Sequence, residues 1–459
     1  MQNFRPYQIE SSDFLIQHHR AVLGLPPGTG KTRILIRCIE ELQPPRILLV
    51  GSKIALKTWK KEWLKWGLDK WYPTPSLTIG KNQAQREKIW NNSQVVGTTF
   101  NNLPNDLNPK KNPNTPAAKQ HFSMVIADEA HKANNRKKTF HKGLKQVSRN
   151  SRYCFIATGS PGKRGPEGLW GLLSLARPKE FTSFWGFINQ YCFVDKNPWG
   201  GIEILGAVNQ DDMIKDLENV LYYRSKKALL PELPEKQRQK MPFELTPTTR
   251  RVYTQLKEDL LSYLEASGDV IVAPNTLTLS IRLRQLLCCP AILSKDLGVG
   301  EAITSCAEYI EENQSHVVIF TFFKQAIPYI EQALQAKGFT DIFTITGGMD
   351  IDEMQKREDA FKKSQGIMLC TIQVAESFSL ETCDTAHFIG ADWDPENNYQ
   401  AEDRIHRMTS DHQSIHCLYW VCENTIDDRV FEVLDEKSRF TKALSRSSDT
   451  LREALKSDH

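Results

Sequence analysis

Short, uninterrupted apolar runs recur along this chain, separated by longer stretches of mixed character. Ala21–Leu25, Arg46–Val50, Val95–Thr99, Met124–Ala127 and Tyr153–Ala157 are four or five residues long and lack a period of two. Burial on both faces erases that alternation, so these runs predict strands of a parallel sheet with helices between several of them. Similar runs return at Val317–Phe320, Ile342–Thr346, Ile367–Thr371 and His387–Ile389. The chain is therefore α/β, with two sheet-forming regions, 1–176 and 301–430.

The intervening residues have a different texture. Aromatic residues crowd Phe181–Phe193, LPELP at Leu230–Pro234 has the character of an extended connector, and Thr248–Ala266 carries a charged helical pattern. These features predict a helical protrusion and the start of a linker over 177–235, then a second helical insertion over 236–300. Residues 104–120, rich in Pro, Asn and Lys, predict an exposed loop. The charged tail after Asp427 predicts a further helix.

Several strand candidates end in loops of polar or small residues, as expected when function sits at the carboxyl ends of parallel strands. The first leads into GTGKT at Gly28–Thr32. Gly28 and Gly30 let the backbone curl so that its amides face phosphate oxygens. Lys31 can reach the β- and γ-phosphates, Thr32 can ligate magnesium, and the start of the following helix adds its positive end. The strict eight-residue pattern would place glycine at position 25, where this chain has Leu25.

Met124–Ala127 leads into Asp128 and Glu129 of the tetrapeptide Asp128–His131. An acidic residue there can hold Mg²⁺, and a neighbouring carboxylate can orient water. Far downstream, Gln400–Arg407 places Arg404 and Arg407 three residues apart on one helical face. Each tetrapeptide or helix alone has a plainer reading as a solvated acidic turn or a salt-bridged surface. In combination, a phosphate loop, acidic residues and remote arginines are the parts that cleave a γ-phosphate, and they predict ATP and Mg²⁺ at a site assembled from two lobes.

Composition narrows the class. The 459 residues are 40% hydrophobic and 25% charged, with a net charge of +4, values of a globular protein of two or more domains. The balance by itself does not select nucleic acid as a partner. Ten cysteines include no C-x-x-C pair, which points to reduced thiols rather than a zinc knuckle or disulfide framework. No apolar signal core or membrane-length run is found, so a cytoplasmic location, or wherever DNA is kept, is expected.

These motifs, with their flanks, resemble the Swi/Snf-type DNA translocases of helicase superfamily two across nearly the whole chain. RPYQ at Arg5–Gln8 resembles the adenine-reading segment, Ile47–Trp66 the motif after the second strand, and Ala157–Pro161 (ATGSP) the coupling motif. Ser183–Cys192 and Leu230–Tyr253 resemble segments particular to that branch, Phe388–Arg407 is the nearest match, and Thr425–Phe440 resembles the brace region. The resemblance implies two RecA-like lobes with parallel sheets, helical insertions and a C-terminal brace helix in 431–459. It also implies that Gln8 and Arg5 meet adenine. Gly28, Thr29, Gly30, Lys31, Thr32 and Gln400 would lie at the nucleotide, with Thr32 and Asp128 on the metal. Lys31, Asp128, Glu129, Arg404 and Arg407 would carry the catalysis, and His131, Thr158, Gly159 and Ser160 would couple nucleotide state to lobe movement. In motif V the family's glycines are replaced, with Ala375 and Ser377 in VAESFSL, and Glu376 adds a negative charge. Met408–Ser410 replaces the usual Gly-Gln after the second arginine.

Two basic runs, from Lys53 to Lys65 and from Lys132 to Lys145, suit either phosphate contacts or solvated helix faces. The tryptophans within the first are spaced as one buried helix face. By resemblance, Lys53, Thr98, Thr99, Thr321, Thr346 and Thr371 are candidates to grip one strand of DNA. Backbone contacts carry no sequence code, so a monomeric translocase on duplex or branched DNA, without sequence specificity and without a membrane, is expected. The alternatives are a strand-separating helicase, an ATP-gated DNA-binding switch with slow turnover, and a ring ATPase.

Overall fold

The structure is a computed structural model. It describes residues 4–108, 117, 120–161, 165–196, 202–224, 226–230, 233–266, 273–313, 316–407, 410, 412–428 and 430–431. The chain divides into two compact units, one built from residues up to Pro231 and the other from Glu232 to Ser438. Residues 432–459 of the expected brace helix, residues 109–116 and 118–119 of the predicted loop 104–120, the side chain of Glu376 and residues 408–409 lie outside the described residues.

The first unit contains the strands β1 (Arg20–Gly24), β2 (Ile47–Gly51), β3 (Ser76–Leu77), β4 (Val95–Thr99), β5 (Met124–Ala127), β6 (Tyr153–Thr158), β7 (Cys192–Lys196), β8 (Ile202–Ala207) and β9 (Leu221–Tyr223). Seven of these form one sheet in the order β3-β4-β2-β5-β6-β1-β9, and every pair in it is parallel. Strands β2, β4, β5 and β6 are buried along their whole length, which explains their unbroken apolar sequences.

Three helices frame the site: α1 (Pro6–His18), α2 (Lys31–Leu42) and α3 (Lys53–Lys65). The α3 helix starts where the Ser52 hydroxyl accepts a bond from the Ala55 amide. It buries Trp59 and Trp63 and leaves Lys57, Lys60 and Lys61 in solvent. Trp59 and Trp63 are core residues, as their spacing predicts, whereas Trp66 at the helix end is half-buried beneath Arg33.

Three expectations for this unit need correction. Within the predicted loop 104–120, Pro104–Leu107 belongs to the helix Asn102–Leu107 and buries Leu103 and Leu107. The helical protrusion after residue 177 contains an antiparallel hairpin of β7 and β8. The short helix before it, Phe184–Tyr191, buries Phe187, Ile188 and Tyr191 in the same core as Val22, Val125 and Ile156. Strand β9 then returns to extend the first sheet.

The second unit contains β10 (Glu235–Phe243), β11 (Val317–Thr321), β12 (Ile342–Ile345), β13 (Ile367–Thr371), β14 (Thr385–Ile389) and β15 (Ser414–Cys422). They form one parallel sheet in the order β10-β15-β14-β11-β13-β12. Residues 235–243 are therefore a nine-residue edge strand rather than linker and helical insertion. The helices Pro247–Ala266 and Ala273–Cys288 follow it. All ten cysteines are buried and free.

Candidate nucleotide site

The ends of β1, β6 and β5 lie side by side in the first sheet, and three of the predicted motifs sit there. Gly24 at the end of β1 pairs with Thr158 at the end of β6, and the Leu25 amide donates to the Thr158 carbonyl at 3.1 Å. A Cβ built on Gly159 would sit 3.1 Å from Pro27 of the loop. The Thr158 hydroxyl accepts from the Ser160 amide at 3.2 Å, while the buried Ser160 hydroxyl has no hydrogen-bond partner among the described residues. The ATGSP segment thus packs directly on the phosphate loop.

Gly28 and Gly30 both take φ +80°, and Gly30 precedes the first residue of α2 in the left-handed conformation. This is the backbone that glycine permits cheaply. The loop is braced from α1: the Tyr7 hydroxyl and the Gln8 Nε2 donate to the Thr29 carbonyl at 2.9 and 3.2 Å. Gln8 Oε1 accepts from the Arg5 amide at 3.0 Å. The Gln8 amide group therefore links the helix start to the loop. The Thr29 hydroxyl donates to the Pro26 carbonyl at 2.8 Å. Lys31 is buried and its Nζ donates to the carbonyls of Leu25 and Pro26 at 3.0 and 3.3 Å. Thr32, the next residue of α2, is half-buried.

Asp128 has both oxygens engaged. Trp59 Nε1 donates to Oδ2 at 3.0 Å and the Glu129 amide donates to Oδ1 at 3.0 Å. Burial, followed by the adjacent charge of Glu129, raises the Asp128 pKa; Lys31 and Trp59 oppose that rise. Glu129 adopts φ 52°, a left-handed conformation uncommon for a residue with a side chain. Burial pushes its pKa up, but Lys31 and His131 outweigh burial, leaving it well below the usual carboxylate range. His131 is buried with Nδ1 at 3.3 Å from Glu129 Oε2.

In the second unit, the helix Pro395–Ile405 carries Gln400 and Arg404, with Arg407 just beyond it. Arg404 is buried and donates to the Gln400 carbonyl at 3.0 Å and the Phe378 carbonyl at 3.4 Å. Arg407 donates to the same Phe378 carbonyl at 3.4 Å, and its Nε is buried without a hydrogen-bond partner among the described residues. The two arginines thus converge on motif V. Neither Ala375 nor Ser377 takes a positive φ, so replacing the expected glycines imposes no left-handed strain.

Sequence reasoning missed what holds the arginine helix. Glu402 is fully buried and accepts from Lys236 at 2.8 Å, from Arg238 at 2.6 and 2.7 Å, and from the Tyr419 hydroxyl at 2.8 Å. Lys236 and Arg238 belong to β10, and no local pattern could have paired them with a residue more than 160 positions away.

The strand-end threonines divide. Thr98 and Thr321 are fully buried. The Thr98 hydroxyl accepts from Thr78 at 2.9 Å, and Thr321 accepts from the Phe323 amide at 3.3 Å. Both hydroxyls are engaged within the fold. Thr371 is buried, whereas Thr99 and Thr346 keep 6% and 9% of their surface exposed. Lys53 is exposed at the start of α3. In the second basic run, Arg136 lies over the Phe184 ring at 4.0 Å and Lys145 over Trp170 at 5.7 Å, so part of that run packs on aromatic faces.

A phosphate-loop motif at the end of one parallel strand and an acidic pair at the end of another make up a candidate nucleotide-phosphate site on an α/β sheet. Residues 7–292 match the SNF2-related domain, and residues 301–409 match the helicase conserved C-terminal domain. The chain belongs to the SNF2-related family. It is similar to the SWI/SNF-related matrix-associated actin-dependent regulator of chromatin subfamily A-like protein 1 of Xenopus tropicalis, at 22% identity over 95% of this chain and 44% of that protein. It is also similar to the DNA annealing helicase and endonuclease ZRANB3 of Homo sapiens, at 23% identity over 95% of this chain and 40% of that protein. Among solved structures, the Sulfolobus solfataricus SWI2/SNF2 ATPase core in complex with dsDNA matches with a TM-score of 0.44 and 18% identity, covering 97% of this chain and 93% of that one. The chain spans less than half the length of these two curated relatives. Among the described residues, no helix is long and apolar enough to cross a membrane.

Proposed function

We propose that this chain is a DNA-dependent ATPase that moves along double-stranded DNA without sequence specificity and remodels DNA structures or DNA-bound proteins. The observation that carries the reading is the placement of Lys31 after β1 and of Asp128 and Glu129 after β5, on either side of β6 in one parallel sheet, in a member of the SNF2-related family. The names of the relatives speak of chromatin regulation and DNA annealing, which favours duplex or branched DNA as the partner here.

Thr32 and Asp128 offer hard oxygen donors of the kind Mg²⁺ requires, and the left-handed glycines leave the loop amides unshielded by side chains. Bound there, Mg²⁺ would neutralise charge on the phosphates. Lys31 would leave the carbonyls of Leu25 and Pro26 to reach the phosphates. Glu129 would then lose part of the attraction that holds it ionised and become a better acceptor for a proton of water. His131 and Ser160, next to that carboxylate and that loop, would report the change. The resemblance assigns the catalytic arginines to Arg404 and Arg407, whose guanidinium forks suit charge on a phosphate.

The test is steady-state ATP hydrolysis without nucleic acid, then with single-stranded, duplex and forked DNA and with RNA, and with magnesium withheld. Duplex or forked DNA is expected to stimulate turnover about tenfold or more, and Lys31→Ala and Glu129→Gln to remove it. Turnover that ignores every nucleic acid would overturn the reading. Strand displacement during stimulated turnover would instead favour an unwinding helicase.

A further inference from the structure

At the end of the first sheet opposite the phosphate loop, where β1 and β6 begin, lies a cavity of about 670 Å³. Its walls come from the junction of α1 with β1, the segment entering β6, and the segment after the helix Gly165–Ala176. Because β1 crosses the sheet in five residues, the cavity and the loop are separated by roughly 16 Å of strand.

The lining is unusual in charge. Arg20, Arg149, Arg152, Arg177 and Lys179 face one carboxylate, Glu180, so five cations against one anion leave four net positive charges. That equals the net charge of the whole 459-residue chain. Burial, then Arg177 and His19, hold the nearby His18 below its ordinary pKa, consistent with a cationic setting.

Two of the cations have structural duties. Arg20 donates to the carbonyls of Ala176 at 2.7 Å and Ser148 at 2.9 Å, the last residues of two helices, which suits their negative ends. Arg177 donates to the Arg20 and Asn219 carbonyls at 2.9 and 2.6 Å and pairs with Glu180 at 3.1 Å. The other three do not share these duties. Arg149, Arg152 and Lys179 are exposed and have no carboxylate partner among the described residues. A concave site lined by one sign of charge concentrates counter-ions of the other sign.

The chemistry of the lining narrows the ligand. Pro178 is the sole aliphatic side chain among the lining residues. Sites for small organic ligands and nucleobases are mostly apolar or aromatic. Apart from the imidazole rings of His18 and His19, the lining is guanidinium, ammonium and polar groups, which suit phosphate oxygens and read no sequence. The volume also exceeds what a single phosphate would fill.

We propose that this cleft binds the sugar–phosphate backbone of a second nucleic-acid segment, distinct from the segment engaged during translocation. The inference rests on the DNA reading given above. A motor that holds two segments could draw one past the other, as joining or reversing branched DNA requires.

The test compares the wild type with Arg149→Glu/Arg152→Glu/Lys179→Glu. A control, Lys70→Glu/Lys81→Glu/Lys88→Glu, changes net charge equally at other exposed positions of the same unit. Affinity for a forked duplex is measured across a salt series, alongside hydrolysis at saturating duplex. In the cleft variant the slope of log affinity against log salt should fall by about two to three, affinity at moderate salt by about tenfold, and maximal hydrolysis should stay unchanged. The control should shift the slope by much less. Equal slopes in wild type and cleft variant, or equal losses in both variants, would overturn the proposal. So would tight binding of inorganic tripolyphosphate that the cleft variant loses while its DNA slope is kept, which would make the ligand a free polyphosphate. A wild type that binds no duplex at all would overturn the DNA reading first and this inference with it.

Discussion

Trp59 and Asp128, 69 positions apart, are joined by a hydrogen bond of 3.0 Å from the indole N–H to Oδ2. With the Glu129 amide on Oδ1, the carboxylate that would face a metal is fixed at both oxygens from behind. Trp59 is 1% exposed, so the bond is shielded from water. This is the kind of outer support that orients a ligating group. Trp59→Phe keeps most of the packing and removes the donor. It should cost about 1–3 kcal/mol of stability, lower ATP hydrolysis several-fold, and raise the magnesium concentration for half-maximal activity. A lower melting temperature with an unchanged magnesium dependence would confine Trp59 to packing.

The two loop glycines should respond unequally. A Cβ on Gly28 meets nothing within 4 Å, so Gly28→Ala carries only the left-handed strain of about 1–2 kcal/mol. A Cβ on Gly30 would lie 2.6 Å from Gln8 Nε2 and must displace it from the Thr29 carbonyl. Nucleotide titration should therefore rank Gly30→Ala below Gly28→Ala in affinity. Adding Gln8→Ala to Gly30→Ala should recover part of the difference, and no recovery would show that the Gln8 clash is unimportant.

Glu402→Gln leaves Lys236 and Arg238 without their shared anion. Loss of one partner from a buried pair costs about 3–5 kcal/mol, and the partial exposure of both cations favours the low end. The Glu402 pKa is lowered to about 2, because its two cations outweigh burial. Its contribution is thus present above the ordinary value of about 4.5 and lost as pH falls from there towards 2. Acid unfolding of the wild type should steepen in that window, and the variant should lose that component. Arg404 shares the helix, so activity should fall before the unit unfolds.

Two buried histidines predict sensitivity to milder acid. Burial lowers the pKa of His387 to about 3 and of His141 to about 4, from 6.5. His387 Nδ1 accepts from Trp420 Nε1, and His141 Nδ1 faces the Ala133 carbonyl at 2.9 Å. Both are neutral in the folded chain while the unfolded chain takes up protons below pH 6.5. Stability should therefore fall as pH drops from 6.5 towards 4, by about 1.4 kcal/mol per pH unit per histidine. Chemical denaturation at pH 7 and pH 5 measures this, and His387→Gln should flatten the dependence.

Much of the site was legible because each of its motifs is contiguous. The loop, the acidic pair and the ATGSP segment each follow a strand whose apolar run is plain. What was hidden depends on partners distant in sequence. EKQRQKMPF looks like linker because β10 lies at a sheet edge, where one neighbour suffices and charged side chains stay half exposed. Its lysine and arginine acquire meaning only beside Glu402. Leu221–Tyr223 is too short for any period to register, yet it closes the first sheet. The threonines at strand ends were placed correctly along the chain, but sequence cannot tell a hydroxyl that faces a groove from one that faces Thr78.

The ten buried cysteines offer a use beyond packing. Three lie in the first unit and seven in the second, and burial raises the pKa of Cys38, Cys154, Cys288 and Cys306 above the ordinary thiol value. Folded, the chain should be nearly inert to alkylating reagents at neutral pH. Each thiol becomes a silent timer that starts only when its own unit opens, so pulsed labelling with and without ATP can time the breathing of each half separately, with no engineered probe.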